Sequence, residues 1–178
     1  MRSSLVASGV AVILLSVCAR IGAAPEDYVH VPTGLVFPPQ LNGMQRDAPD
    51  ISKSDGSVGI TYRFGGVQAG LTVLVKDNDK RPTDLSGLLR ALVGLQRRNG
   101  DSVRVTRDGV LSGRCGREST RFAYLLSESG NAQQARLAMR YRGYVVHTLV
   151  NLGSGALAPP TELFQQILQT YRFPCVVV

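Results

Sequence analysis

Two histidines, three cysteines and a scatter of serines and carboxylates are the residues of this 178-residue chain that could do chemistry. His147 stands among Val145, Val146, Thr148 and Leu149, a strand-like setting. There it could act as the base of a serine or of a reduced Cys115 in a small hydrolase, or it could be a partly buried histidine satisfied by one hydrogen bond. His30 is the one other histidine that could serve as a base. Nothing of the form Gly-x-Ser-x-Gly or Cys-x-x-Cys is present, and Ser52, Ser54 and Ser57 sit in a loop-like stretch. Asp77, Asp79 and Asp84 are spaced as oxygen ligands for calcium could be, but Lys76, Lys80 and Arg81 interrupt them and no distal glutamate follows. Gly153-Ser154-Gly155 precedes no Gly-Lys-Ser/Thr and reads as a linker rather than a phosphate cradle. The residues therefore identify no catalytic, cofactor or metal site, and a non-enzymatic binding or accessory role is favoured over the His147 hydrolase.

Arginines offer a second chemistry. Arg136, Ala138, Arg140 and Arg142 fall on one face of a strand at period two, with Leu137, Met139 and Tyr141 on the other. If Arg121 stands beside them on a neighbouring strand, Arg136, Arg140 and Arg142 become an anion-docking face for lipid headgroups, envelope polymer or an acidic partner. The alternative is a face whose arginine stems merely cover apolar surface. With no basic block and no interleaved aromatic platform, no nucleic-acid partner is expected.

The N-terminus supplies an address. Arg2 precedes the apolar run 5–19, and Ile21-Gly22-Ala23 offers small residues for cleavage after Ala23. The run is shorter than the ~20 residues of a comfortable bilayer span. Residues 1–23 thus read as a signal peptide that leaves no transmembrane span in the mature protein, which is expected to be periplasmic or secreted. Leu15-Ser16-Val17-Cys18 gives the alternative, a lipoprotein acylated at Cys18. Arg2 and Arg20 leave with the leader and no acid does, so the net charge falls from +7 to +5. Cys115 and Cys175 remain, and an even pair in an exported chain reads as a disulfide.

The elements that must position these residues follow from periodicity. Residues 24–57 read as an extended Pro/Gly-rich segment, with Leu35-Val36-Phe37-Pro38-Pro39 as an edge strand or extended stretch, and 58–178 as a single α+β domain. Val58–Phe64 and Ala69–Val75 form a hairpin. A helix capped by Thr83 or Asp84 carries Leu85, Leu88, Leu89, Leu92 and Leu95 on one face and stops at Asn99-Gly100. Val103–Thr106 is a strand with a turn at Asp108-Gly109, Thr120–Leu126 another strand, and Ala135–Tyr141 with Tyr144–Val150 a hairpin around Arg142-Gly143. Thr161 opens a last amphipathic helix with Leu163, Phe164, Ile167, Leu168 and Tyr171, which ends near Phe173-Pro174. Hairpins separated by two helices predict an α+β fold, an antiparallel β-sheet with two amphipathic helices.

The stretch Pro32-Thr33-Gly34-Leu35-Val36-Phe37-Pro38-Pro39-Gln40-Leu41-Asn42-Gly43 resembles the opening of a group of uncharacterised exported proteobacterial proteins with a Pro-x-Gly-Leu-x-Phe-Pro pattern. That resemblance implies export and carries over no activity. The element order is similar to the Mog1/PsbP-like fold, which implies a sheet sandwiched by helices and an accessory role, and transfers no site residues.

Overall fold

Near-continuous buried runs build the middle of this molecule's sheet, because strands with two covered faces need a buried side chain at nearly every position. The computed structural model describes residues 26–64, 67–76, 84–152, 158–170 and 172–178, with the backbone alone at 64, 67–76 and 170. The predicted signal peptide 1–23, the acids at 77 and 79, and Gly153-Ser154-Gly155 lie outside the described residues. The order is β1 (Tyr28–His30), β2 (Leu35–Phe37), β3 (Gln40–Leu41), β4 (Met44–Arg46), β5 (Asp50–Ile51), β6 (Val58–Phe64), β7 (Val67–Lys76), α1 (Leu85–Arg98), β8 (Val103–Cys115), β9 (Glu118–Ser129), β10 (Ala132–Tyr141), β11 (Tyr144–Leu152), α2 (Pro160–Thr170) and β12 (Cys175–Val177).

Ten strands form one sheet in the order β12-β8-β9-β10-β11-β7-β6-β4-β3, with β5 also paired to β6, while β1 and β2 form a separate hairpin. Every pairing between described strands is antiparallel. The fold is α+β, as the sequence predicts.

The two faces of the sheet are covered by different helices. Phe122, Tyr124 and Leu126 of β9 join Leu137, Met139 and Tyr141 of β10 in a core with Phe164 and Leu168 of α2. Their neighbours Ala123, Leu125 and Ala138 face the other way, onto Leu89 and Val93 of α1. The ring of Tyr124 lies 5.8 Å from that of Phe164. The described part of the 24–57 segment does not trail away from this body. Leu35, Phe37 and Leu41 are buried in the α2-side core. Arg46, 1% exposed, donates to the carbonyl of Phe37 and, at 2.7 Å, to that of Glu26.

Several local expectations change. Leu95 is exposed while Val93 is buried, so the packed stripe of α1 runs through Leu85, Leu89, Leu92 and Val93. Asp84 occupies the N-cap position of α1, yet its side chain makes no capping hydrogen bond. The helix predicted to open at Thr161 begins at Pro160, whose fixed φ and missing N–H suit a first helical turn. No turn interrupts β8 at Asp108-Gly109. The strand runs through, with Thr106 bulged out between Val105 and Arg107 and its hydroxyl donating to the Leu126 carbonyl at 2.9 Å. Gly109 lies opposite Tyr124, whose ring occupies the space a side chain would fill. The Asp-Gly pair thus serves a close approach inside a strand.

Candidate functional site

The tight turn joining β10 to β11 determines where the arginines go. Arg142 and Gly143 both have positive φ, 50° and 77°, the backbone of a two-residue hairpin loop. Arg142 therefore leaves the period-two alternation of β10. Its guanidinium lies 5.2 Å from the Tyr141 ring centre and donates to the Thr33 carbonyl at 3.0 Å, fastening the N-terminal segment. The predicted face of Arg136, Arg140 and Arg142 is thus divided three ways. Arg142 is structural, Arg140 is half-buried, and Arg136 is 7% exposed beneath α1 rather than displayed to solvent.

Arg140 does acquire the neighbour the sequence suggested. The register of β9 and β10 ends at the Met139–Phe122 pair, and the residues that follow it on the two strands are Arg140 and Arg121. Arg121 and Arg140 line a cleft of about 720 Å³ between the sheet and the start of α1. Asp84, Leu85 and Ser86 form the helix side, and Val110, Ser112, Gly113, Ser119 and Thr120 the rest of the wall. Thr120 donates to the Arg140 carbonyl at 3.1 Å, which ties the two strands together at the mouth. The first turn of α1 contains no acidic residue, so its amide dipoles add positive potential there. Asp84 opposes it from the rim, 3.5 Å from Arg90. The arrangement can hold an anion between two guanidiniums with hydroxyl donors at hand.

His147 sits on the α1 side of β11, across from Ala138. Burial, aided by the nearby Arg136 charge, pushes its pKa down to about 4. Its Nε2 is buried and meets no hydrogen-bond partner, so no serine hydroxyl is engaged there. Cys115 belongs to the opposite core and is bonded to Cys175, register partners on β8 and β12 with sulfurs 1.93 Å apart. The thiol that a His147–Cys115 hydrolase needs is consumed by that bridge. His30 is structural: its Nδ1 lies 2.7 Å from the Thr33 hydroxyl and its ring packs edge-on to Tyr144 at 5.0 Å.

Among the described residues, no three His, Cys, Asp or Glu side chains cluster where they could hold a metal ion, and no helix is long and apolar enough to cross a membrane. Two participants escaped the sequence. Ser112 enters the cleft wall only because the bulge at Thr106 resets the alternation of β8, and Arg46 carries no local pattern that marks it as buried. No protein-family model matches the chain, and no curated protein matches it.

Proposed function

We propose that the mature chain is an exported binding or accessory protein of the cell envelope, non-enzymatic, which docks an anionic group in the cleft where Arg121 and Arg140 face the start of α1. The observation that carries this reading is that Arg121 and Arg140 line the same cleft. Two guanidiniums on neighbouring strands line one concave wall with four hydroxyl residues, Ser86, Ser112, Ser119 and Thr120. A recess with low-dielectric walls concentrates positive potential more than a flat surface does. Export is supported by the leader-like residues 1–23 and by the Cys115–Cys175 bridge, a bond that persists in oxidising compartments. A helix on each face of an antiparallel sheet supports the Mog1/PsbP-like relationship and, with it, an accessory role.

The test is equilibrium binding of the mature protein to vesicles of phosphatidylglycerol and phosphatidylcholine, compared with phosphatidylcholine alone, across a salt series. Binding should require the anionic lipid and weaken steeply with salt, since the Debye length is about 8 Å at physiological ionic strength. The double variant Arg121→Gln/Arg140→Gln should lose that binding with its melting temperature little changed. Equal binding by the variant, or indifference to salt, refutes the cleft as the docking site.

A further inference from the structure

On the α1 side of the sheet, polar residues are buried beside the apolar cluster of Ala123, Leu125 and Ala138. Across β9, β10 and β11, Ser127, Gln134 and Asn151 share one rung, Leu125, Arg136 and Leu149 the next, and Ala123, Ala138 and His147 the third. Ser127 is 0% exposed and Gln134 8%. The Arg136 guanidinium makes one long bond, Nη2 to Gln134 Oε1 at 3.3 Å, and its Nε is buried without a partner. Among the described residues no carboxylate pairs with it. His147 Nε2 and Ser127 Oγ are buried and unpartnered as well. Arg46, the other deeply buried arginine, shows what a structural guanidinium looks like here: it serves two backbone carbonyls and packs 5.9 Å from the Tyr28 ring centre. Arg136 has no comparable set of acceptors.

A guanidinium withdrawn from water without a counter-charge opposes folding, so a protein gains nothing structural by keeping one. We propose that Arg136, with His147 and the Ser127–Gln134 rung, forms an internal site for one small free carboxylate, distinct from the Arg121–Arg140 cleft. Charge balance selects the class. One fixed positive charge beside a neutral imidazole is matched by a monoanion, and a carboxylate fits the planar donor fork of a guanidinium. Burial differs across the site. Ser127 of β9 is fully covered, Gln134 and Arg136 of β10 nearly so, but His147, Leu149 and Asn151 of β11 are only half-buried. The β11 side is therefore the less covered edge of this site.

The experiment titrates the mature protein with sodium acetate at pH 7.5, replacing sodium chloride at constant ionic strength. Acetate at ten times its Kd should raise the wild-type melting temperature by about 3–6 °C over the chloride reference. Arg136→Met should show no acetate response, and His147→Gln a reduced one. In parallel, the ring-proton resonances of wild-type His147 should shift saturably with acetate, a measurement that does not depend on either variant folding. Equal stabilisation by acetate and chloride, the same acetate response in Arg136→Met, or His147 resonances indifferent to acetate would each overturn the proposal.

Discussion

Lowering the pH from 7 to 5 should destabilise this protein through His147, and the amount can be worked from its surroundings. In the unfolded chain the imidazole titrates near 6.5, whereas in the folded state burial first, and the Arg136 charge second, lower its pKa to about 4. Neither of its register partners is an acid: the one on β7 is Val73 and the one on β10 is Ala138. The sign follows directly. Between pH 6.5 and 4 the unfolded state holds a proton that the folded state refuses, so stability present in full above 6.5 is lost as pH falls through this window. Two and a half pKa units correspond to about 3 kcal/mol once the pH is below 4, and about 2 kcal/mol of that is gone by pH 5. Urea unfolding followed by circular dichroism at pH 7, 6 and 5, without added carboxylate, measures it. His147→Gln removes this titration and should flatten the difference by that amount, while His30, whose pKa burial also lowers, contributes equally to both proteins. Parallel stability curves for the wild type and His147→Gln would refute the argument that the imidazole is buried and neutral beside Arg136.

Three further outcomes are expected. Reducing the Cys115–Cys175 bridge, which spans 60 residues, should cost about 4 kcal/mol in the chain-entropy model and lower the melting temperature by roughly 10 °C, read by calorimetry with and without reductant. Gly113→Ala should destabilise by about 1–3 kcal/mol in chemical denaturation, because a Cβ there collides with the Val176 carbonyl of β12 and with the Phe122 ring. Intact mass of the protein expressed from residue 1 in a bacterial host should place its first residue at Ala24, whereas a diacylglycerol adduct on Cys18 would assign it to the lipoproteins.

The strands were legible wherever both faces of the sheet are buried, and less so where a polar residue is buried or a bulge resets the period. β9 shows the first case: Phe122, Tyr124 and Leu126 meet one core and Ala123 and Leu125 the other, as their alternation predicts. β8 shows the second. A single extra residue at Thr106 shifts which side chains face α1, and Asp108-Gly109 then imitates a turn although Gly109 is there to admit the Tyr124 ring. On α1, leucine content points to Leu95, but the helix axis is fixed by what it lies on, and Val93 faces the small residues Ala123 and Ala138 instead. Disulfide pairing was readable because only Cys115 and Cys175 follow residue 23.

The arginine face shows where the reach of sequence ends. Alternation placed Arg136, Ala138 and Arg140 on one side of β10, and the structure keeps them there. Alternation contains no information about depth, however, and Arg136 and Arg140 differ in what covers them: Arg136 lies under α1, whereas Arg140 lines the open cleft at its start. Arg142 was separable in principle, since a residue in a two-residue hairpin loop cannot also continue the strand's alternation. One strand and its turn therefore carry three arginines in three environments: one seals the N-terminal segment, one lines a cleft, and one is buried with no carboxylate among the described residues to match its charge. The third is the costliest to keep in a fold of marginal stability. Replacing Arg136 with methionine should accordingly leave the ligand-free protein as stable as the wild type or more so.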